Sequence, residues 1–155
     1  MNAIQIDDGT REYSIQNRFG KEICKIHFRP ADWSILDRYD EMKNNFSEII
    51  GPLQTVAINA DGTAAEEEGI ETLRRADHAF RAMLNKLLDA DDADGIFRTR
   101  NPFASVGGRF FAENVLDAIG ALITSAFDAE AKASAQRMQK FMVQDGEMNV
   151  GEPSD

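Results

Sequence analysis

Polar and apolar side chains alternate over residues 12–16, where Tyr13 and Ile15 are set between Glu12, Ser14 and Gln16. Period two is the mark of a strand with one face on a core. The next run repeats it, with Cys24, Ile26 and Phe28 on one face and Ile23, Lys25 and His27 on the other. Asn17-Arg18-Phe19-Gly20 between them is turn chemistry, since Asn and Gly tolerate positive φ. Residues 3–6 offer a further strand ahead of the turn Asp7-Asp8-Gly9-Thr10. The pattern therefore predicts an antiparallel β-meander over residues 1–28.

After Pro30 the period changes to that of a helix. Asp32 is placed to be its N-cap, and Ile35, Tyr39, Met42 and Phe46 form one apolar stripe. Gly51-Pro52 ends it, and residues 53–58 read equally as a short strand or a linker. Thr63-Ala64-Ala65-Glu66 has the form of a capping box. A second helix follows, with Ile70, Leu73, Ala76, Phe80, Leu84 and Leu87 inward, ending near Asp89. Residues 89–108 are turn-rich, and a third helix starts near Arg109.

The apolar positions of that third helix are Phe110, Phe111, Val115, Leu116, Ile119, Leu122, Ile123, Ala126 and Phe127. They fill two adjacent stripes, so the helix is central to the core or also faces a partner. Beyond Asp128 the chain is Ala-rich and polar until Met138, Phe141, Met142 and Val143, and it continues helically with little to pack against. The polar, acidic residues 144–155 are expected to be disordered. The fold class is α+β: residues 1–143 form one domain, a meander over 1–28 packed on a mainly helical part of about three helices over 31–143.

Charge narrows the functional classes. The chain has 27 acidic and 17 basic side chains, a formal net charge of −10. That excludes general binding to nucleic-acid backbone or to an anionic membrane, both of which need excess Lys and Arg. The lone Cys24 permits no internal disulfide and fits a reducing cytoplasm. The first residues lack a basic region and a long apolar run, so no signal peptide is expected. The most apolar stretch, residues 115–127, is interrupted by Asp117 and too short to span a bilayer. The expectation is a soluble cytoplasmic protein.

No motif with catalytic, cofactor or metal chemistry stands out. Asp92-Ala93-Asp94-Gly95 and Asn59-Ala60-Asp61-Gly62 resemble the middle of a calcium loop, but the first ligand positions fall on Ala90 and Ala57. Acidic turns explain both. His27 and His78 lie in different elements with no ligand partners at zinc spacing. Val106-Gly107-Gly108-Arg109 reads as the N-terminal turn or hinge of the third helix. Phe103, after Asn101-Pro102, is read as a core cover in preference to a docking knob. The cluster Met138, Phe141 and Met142 reads equally as adaptable partner surface or as a terminal helix docked on its own domain.

The run from Tyr13 to Ile23, then Phe28-Arg29-Pro30-Ala31-Asp32 opening a helix with Arg38-Tyr39, resembles tail assembly chaperones of long-tailed phages and prophages. The later Asn101-Pro102-Phe103 before an apolar helix is similar to members of the same group. The resemblance implies a non-enzymatic protein without cofactors. It implies a partner, the hydrophobic tape measure protein, kept soluble until tail tube subunits polymerise around it. It also implies absence from the finished virion, and in many members a longer frameshifted form that reaches the tail tube protein. Phe110, Val115, Ile119, Phe127, Met138 and Phe141 are the candidate surface for the client or for homo-oligomer formation. An acidic inhibitor or DNA mimic that binds a basic host protein is the alternative reading.

Overall fold

The computed structural model describes the backbone of residues 1–148 and the side chains of residues 1–142. Strands β1 (Arg11–Gln16) and β2 (Glu22–Phe28) pair antiparallel, with Tyr13 opposite Ile26 and Ile15 opposite Cys24. The alternation decides which face is buried: Ile26 and Phe28 enter the core, while Lys25 and His27 face out. In the turn, the Asn17 carboxamide oxygen accepts from the Phe19 amide at 2.9 Å and the Lys21 amide at 3.1 Å. Gly20 takes the positive φ of 82°. Phe19 is left exposed at the tip.

The expected meander is a two-stranded hairpin. Residues 3–6 form no strand, and Ile4 and Ile6 are exposed. The Asp7 and Asp8 carboxylates are taken up locally, by the Gly9 amide and Arg11 guanidinium and by the Thr10 amide.

Helix α1 (Ile35–Ile50) buries Ile35 and Met42, with Tyr39 and Phe46 half-buried beside them. It starts later than the sequence suggested, and Ser34 rather than Asp32 stands at the N-cap. The Asp32 carboxylate instead accepts from the Ser34 hydroxyl at 3.1 Å and lies 3.6 Å from Arg38. A 3₁₀ turn, Gly51–Thr55, follows with Pro52 near its start, and the chain is extended from Val56 without pairing as a strand.

Helix α2 (Glu67–Leu88) turns Leu73, Ala76, Phe80, Leu84, Leu87 and Leu88 inward, while Ile70, expected on the same face, is exposed in its first turn. The capping box does not form. Thr63 donates its amide to the Asp61 carboxylate at 3.0 Å, and Glu66 occupies the N-cap. An Asp two residues upstream offers the nearer acceptor and keeps Thr63 in the loop. Asp89 ends α2 at φ 54°, and Arg38 of α1 donates to the Leu87 carbonyl at 3.0 Å. That bond places a cation where the helix end is partially negative.

The turn-rich stretch contains a helical turn, α3 (Ala93–Ile96), and a tight hairpin of β3 (Ser105–Val106) and β4 (Arg109–Phe110). The calcium-like Asp92 is an anchor: its carboxylate accepts from the His27 amide at 3.0 Å. Arg98 donates to the Ile23 carbonyl, so α3 and its flanks cover the outer edge of β2. Gly107 and Gly108, at φ 65° and 80°, form the two-residue turn that matches strand twist. They close a hairpin and do not open the helix.

Helix α4 (Phe111–Met148) is 38 residues, about 57 Å at the α-helical rise. Its first half builds the core with Ala112, Leu116, Ile119 and Ile123, while Phe111, Val115, Leu122 and Phe127 pack half-buried against it. Gly120 lies under the Tyr39 ring, where an added Cβ would meet Cζ at 2.7 Å. The Tyr39 hydroxyl donates to the Leu116 carbonyl at 3.1 Å. Gly120→Ala should raise helix propensity by about 1 kcal/mol. The displaced ring should outweigh that gain and leave the protein less stable by about 1–2 kcal/mol. In a Tyr39→Ala background the same change should stabilise, and thermal denaturation of the four variants checks the sign reversal.

Residues 144–148 continue α4. Residues 149–155, most of the expected disordered tail, lie outside the described residues.

Candidate partner-binding surface

From Asp128 to Met142 every side chain of α4 is exposed. The body of the protein ends near Phe127, and the helix carries on past it. It holds its shape through composition, because Ala129, Ala131, Ala133 and Ala135 are interleaved with Glu130 and Lys132, all of them strong helix formers. The face that enters the core does not stop with the core. Phe127, Ser134, Met138 and Phe141 lie within about 60° of the Ile123 direction at about 100° per residue. Phe141 is about five turns above Ile123, almost directly in line. Met138, Phe141 and Met142 are 55%, 57% and 66% exposed. The structure therefore selects the undocked arrangement for this cluster.

The other expected surface residues separate from these. Ile119 is 4% exposed and belongs to the core. Phe110 sits edge-on to Phe103 at 5.3 Å, and Val115 is half-buried beside the same cluster. Phe127 is half-buried at the rim of the body. Phe110, expected on this helix, lies in β4, and the α4 positions Val115 and Ile119 are taken up by the core. Only Phe127, Met138 and Phe141 of the six share an open face. Phe103, at 1% exposure, covers the core as expected.

Sequence periodicity missed two exposed aromatics. Trp33 is 85% exposed in the loop before α1, beside a recess that Ala126, Ala129 and Glu130 of α4 also line. Phe19 caps the β1–β2 turn. Both are in loops, where no period reports which way a side chain points.

Charge on the body is interleaved. Arg29 lies 3.3 Å from Asp89, 3.7 Å from Asp8 and 3.8 Å from Asp32. Arg81 bonds Asp77 at 2.6 Å and Asp94 at 2.9 Å, and Arg109 bonds Asp117 at 2.8 Å. The Arg11 hydrogen bond, with the Gly9 amide, holds the Asp7 carboxyl below its ordinary range. His27 and His78 are exposed, and the His27 Nε2 lies 2.8 Å from Glu12. Among the described residues no group of His, Cys, Asp and Glu side chains is placed to hold a metal ion. No helix there is long and apolar enough to cross a membrane.

Cys24 packs against the core beneath α3, and burial pushes its thiol pKa up, opposed by Arg98. Less thiolate is present at neutral pH than for a free thiol. Alkylation by iodoacetamide at pH 7.5 should be several-fold slower in the native protein than in urea, as mass spectrometry of quenched samples would show.

A scan against protein-family models finds no match to this chain, and neither does a search of curated proteins or of solved structures.

Proposed function

We propose that this chain is a non-enzymatic tail assembly chaperone of a long-tailed phage or prophage. It binds the hydrophobic tape measure protein in the host cytoplasm and holds it soluble until tail tube subunits polymerise around it. The observation that carries the reading is the open apolar face of α4, in a chain whose net charge is −10. A client with exposed apolar helices needs an apolar surface to lie on, and the complex needs charge to stay dispersed. Met138 and Met142 supply unbranched, polarizable side chains that adapt to varied apolar shapes. The resemblance of the hairpin and α1 opening supplies the family. The interleaving of acids with Arg29, Arg81 and Arg109 favours this reading over an acidic nucleic-acid mimic, which needs carboxylates arrayed like phosphates.

The chaperone leaves the assembly before the virion is complete. A longer frameshifted form would extend beyond α4 and carry the contact to the tail tube protein. The test is co-expression with the tape measure protein encoded alongside it. A client that is insoluble alone and co-purifies with this chain supports the proposal. A client that stays insoluble in its presence refutes it.

A further inference from the structure

The open face of α4 has the pattern of a helix-pairing seam. Phe127, Ala131, Ser134, Met138 and Phe141 recur at alternating spacings of four and three residues, the a/d repeat of a coiled coil. We propose that this seam is occupied by α4 of a second copy, running antiparallel. Charge fixes the direction. Glu130 and Arg137 lie on the same flank of the seam, each one residue before an a position, Ala131 and Met138. Flank positions of this type face each other in an antiparallel pair, so Glu130 of each copy meets Arg137 of the other, twice per dimer. A parallel pair would set Glu130 against Ala135 and Arg137 against Met142, and would gain no charge pairing.

The same register makes sense of the side-chain sizes. It layers Phe127 on Met138 of the second copy, an aromatic–sulfur contact, once on each side of the centre. Ala131 and Ser134 meet at the centre, where their small side chains let the helices approach closely. Thr124, exposed beside Phe127, meets Phe141 of the second copy. The seam is short, so the dimer is expected to be weak, with a dissociation constant on the order of micromolar.

Sedimentation velocity on the purified full chain, from about 1 to 200 µM to bracket that affinity, is the test. The wild type should pass from monomer to dimer with concentration. Glu130→Arg and Arg137→Glu each convert two attractive pairs into repulsive ones. Each should raise the dissociation constant by roughly tenfold or more. The double reversal restores both pairs and should return it to near the wild-type value. Met138→Glu should abolish the dimer, and circular dichroism should show the fold intact because Met138 is exposed. A monomer throughout that range overturns the inference. So does a dimer that ignores the single reversals, or one that the double reversal weakens further. The measurement needs no client, so its failure is separate from failure of the chaperone reading.

Discussion

Replacing Phe80 by alanine is expected to cost about 3–5 kcal/mol, at the upper end for a single core truncation. Phe80 is 0% exposed. Its ring meets Phe46 at 5.8 Å, Phe97 at 5.7 Å and Phe103 at 6.5 Å, all at steep edge-to-face angles. These neighbours come from α1, from the residue after α3 and from the loop before β3. One side chain on α2 thus joins three other segments. Truncation removes the transfer free energy of the ring and leaves a cavity lined by groups fixed in different elements, which cannot all close on it. It also removes edge-to-face contacts worth about 0.5–1.5 kcal/mol each. Urea unfolding should show a lowered midpoint with the slope nearly unchanged, and the melting temperature should fall by about 10 °C or more. Ile70→Ala on the same helix is the control. Ile70 is 41% exposed, and its loss should be within about 0.5 kcal/mol. A Phe80→Ala cost under about 1 kcal/mol would mean that the aromatic cluster is not the centre of this core.

The parts of this fold that could be read from the sequence are those where a period runs long enough to fix a face. Tyr13, Ile15, Ile26 and Phe28 point to the core because alternation leaves them no other side. Leu73, Ala76, Phe80, Leu84 and Leu87 do the same at helical spacing. The caps depart from the sequence expectation because they are local competitions. Thr63 could bond toward Glu66 or back to Asp61, and the nearer acceptor prevailed. Element α3 has four residues and strands β3 and β4 two each, too short for periodicity to register. A signal for the second hairpin was present all the same, in the paired glycines between Val106 and Arg109.

The candidate surface was only half legible, for a different reason. Whether an apolar stripe on α4 is covered depends on what the rest of the chain brings to it. Phe97, just after α3, takes up Phe111, the core takes Ile119, and Phe110 leaves the helix for β4, where Phe103 packs on it. Nothing in the described part of the chain reaches Met138, Phe141 or Met142. Periodicity shows that a stripe exists. Where the body ends decides which part of it is left for a partner.

Charge on that remaining face should therefore abolish the proposed chaperone activity without touching stability. The double variant Met138→Glu with Phe141→Glu alters side chains that are 55% and 57% exposed and lie beyond the packed half of α4. Its melting temperature should stay within about 2 °C of the wild type, as for surface changes generally. A carboxylate buried against an apolar client has no partner, so each substitution imposes a desolvation cost that the lost contact area adds to. Together they should weaken client binding by about 100-fold or more, enough to return a co-expressed tape measure protein to the insoluble fraction. Glu130→Arg separates this from self-pairing. It keeps every apolar side chain of the face while opposing the antiparallel dimer. It should leave the client soluble, because a client helix and a second copy compete for one seam. Client solubility lost in Glu130→Arg but kept in the Met138/Phe141 variant would reverse both assignments. It would place the client on the acidic flank and leave the apolar face to the dimer alone.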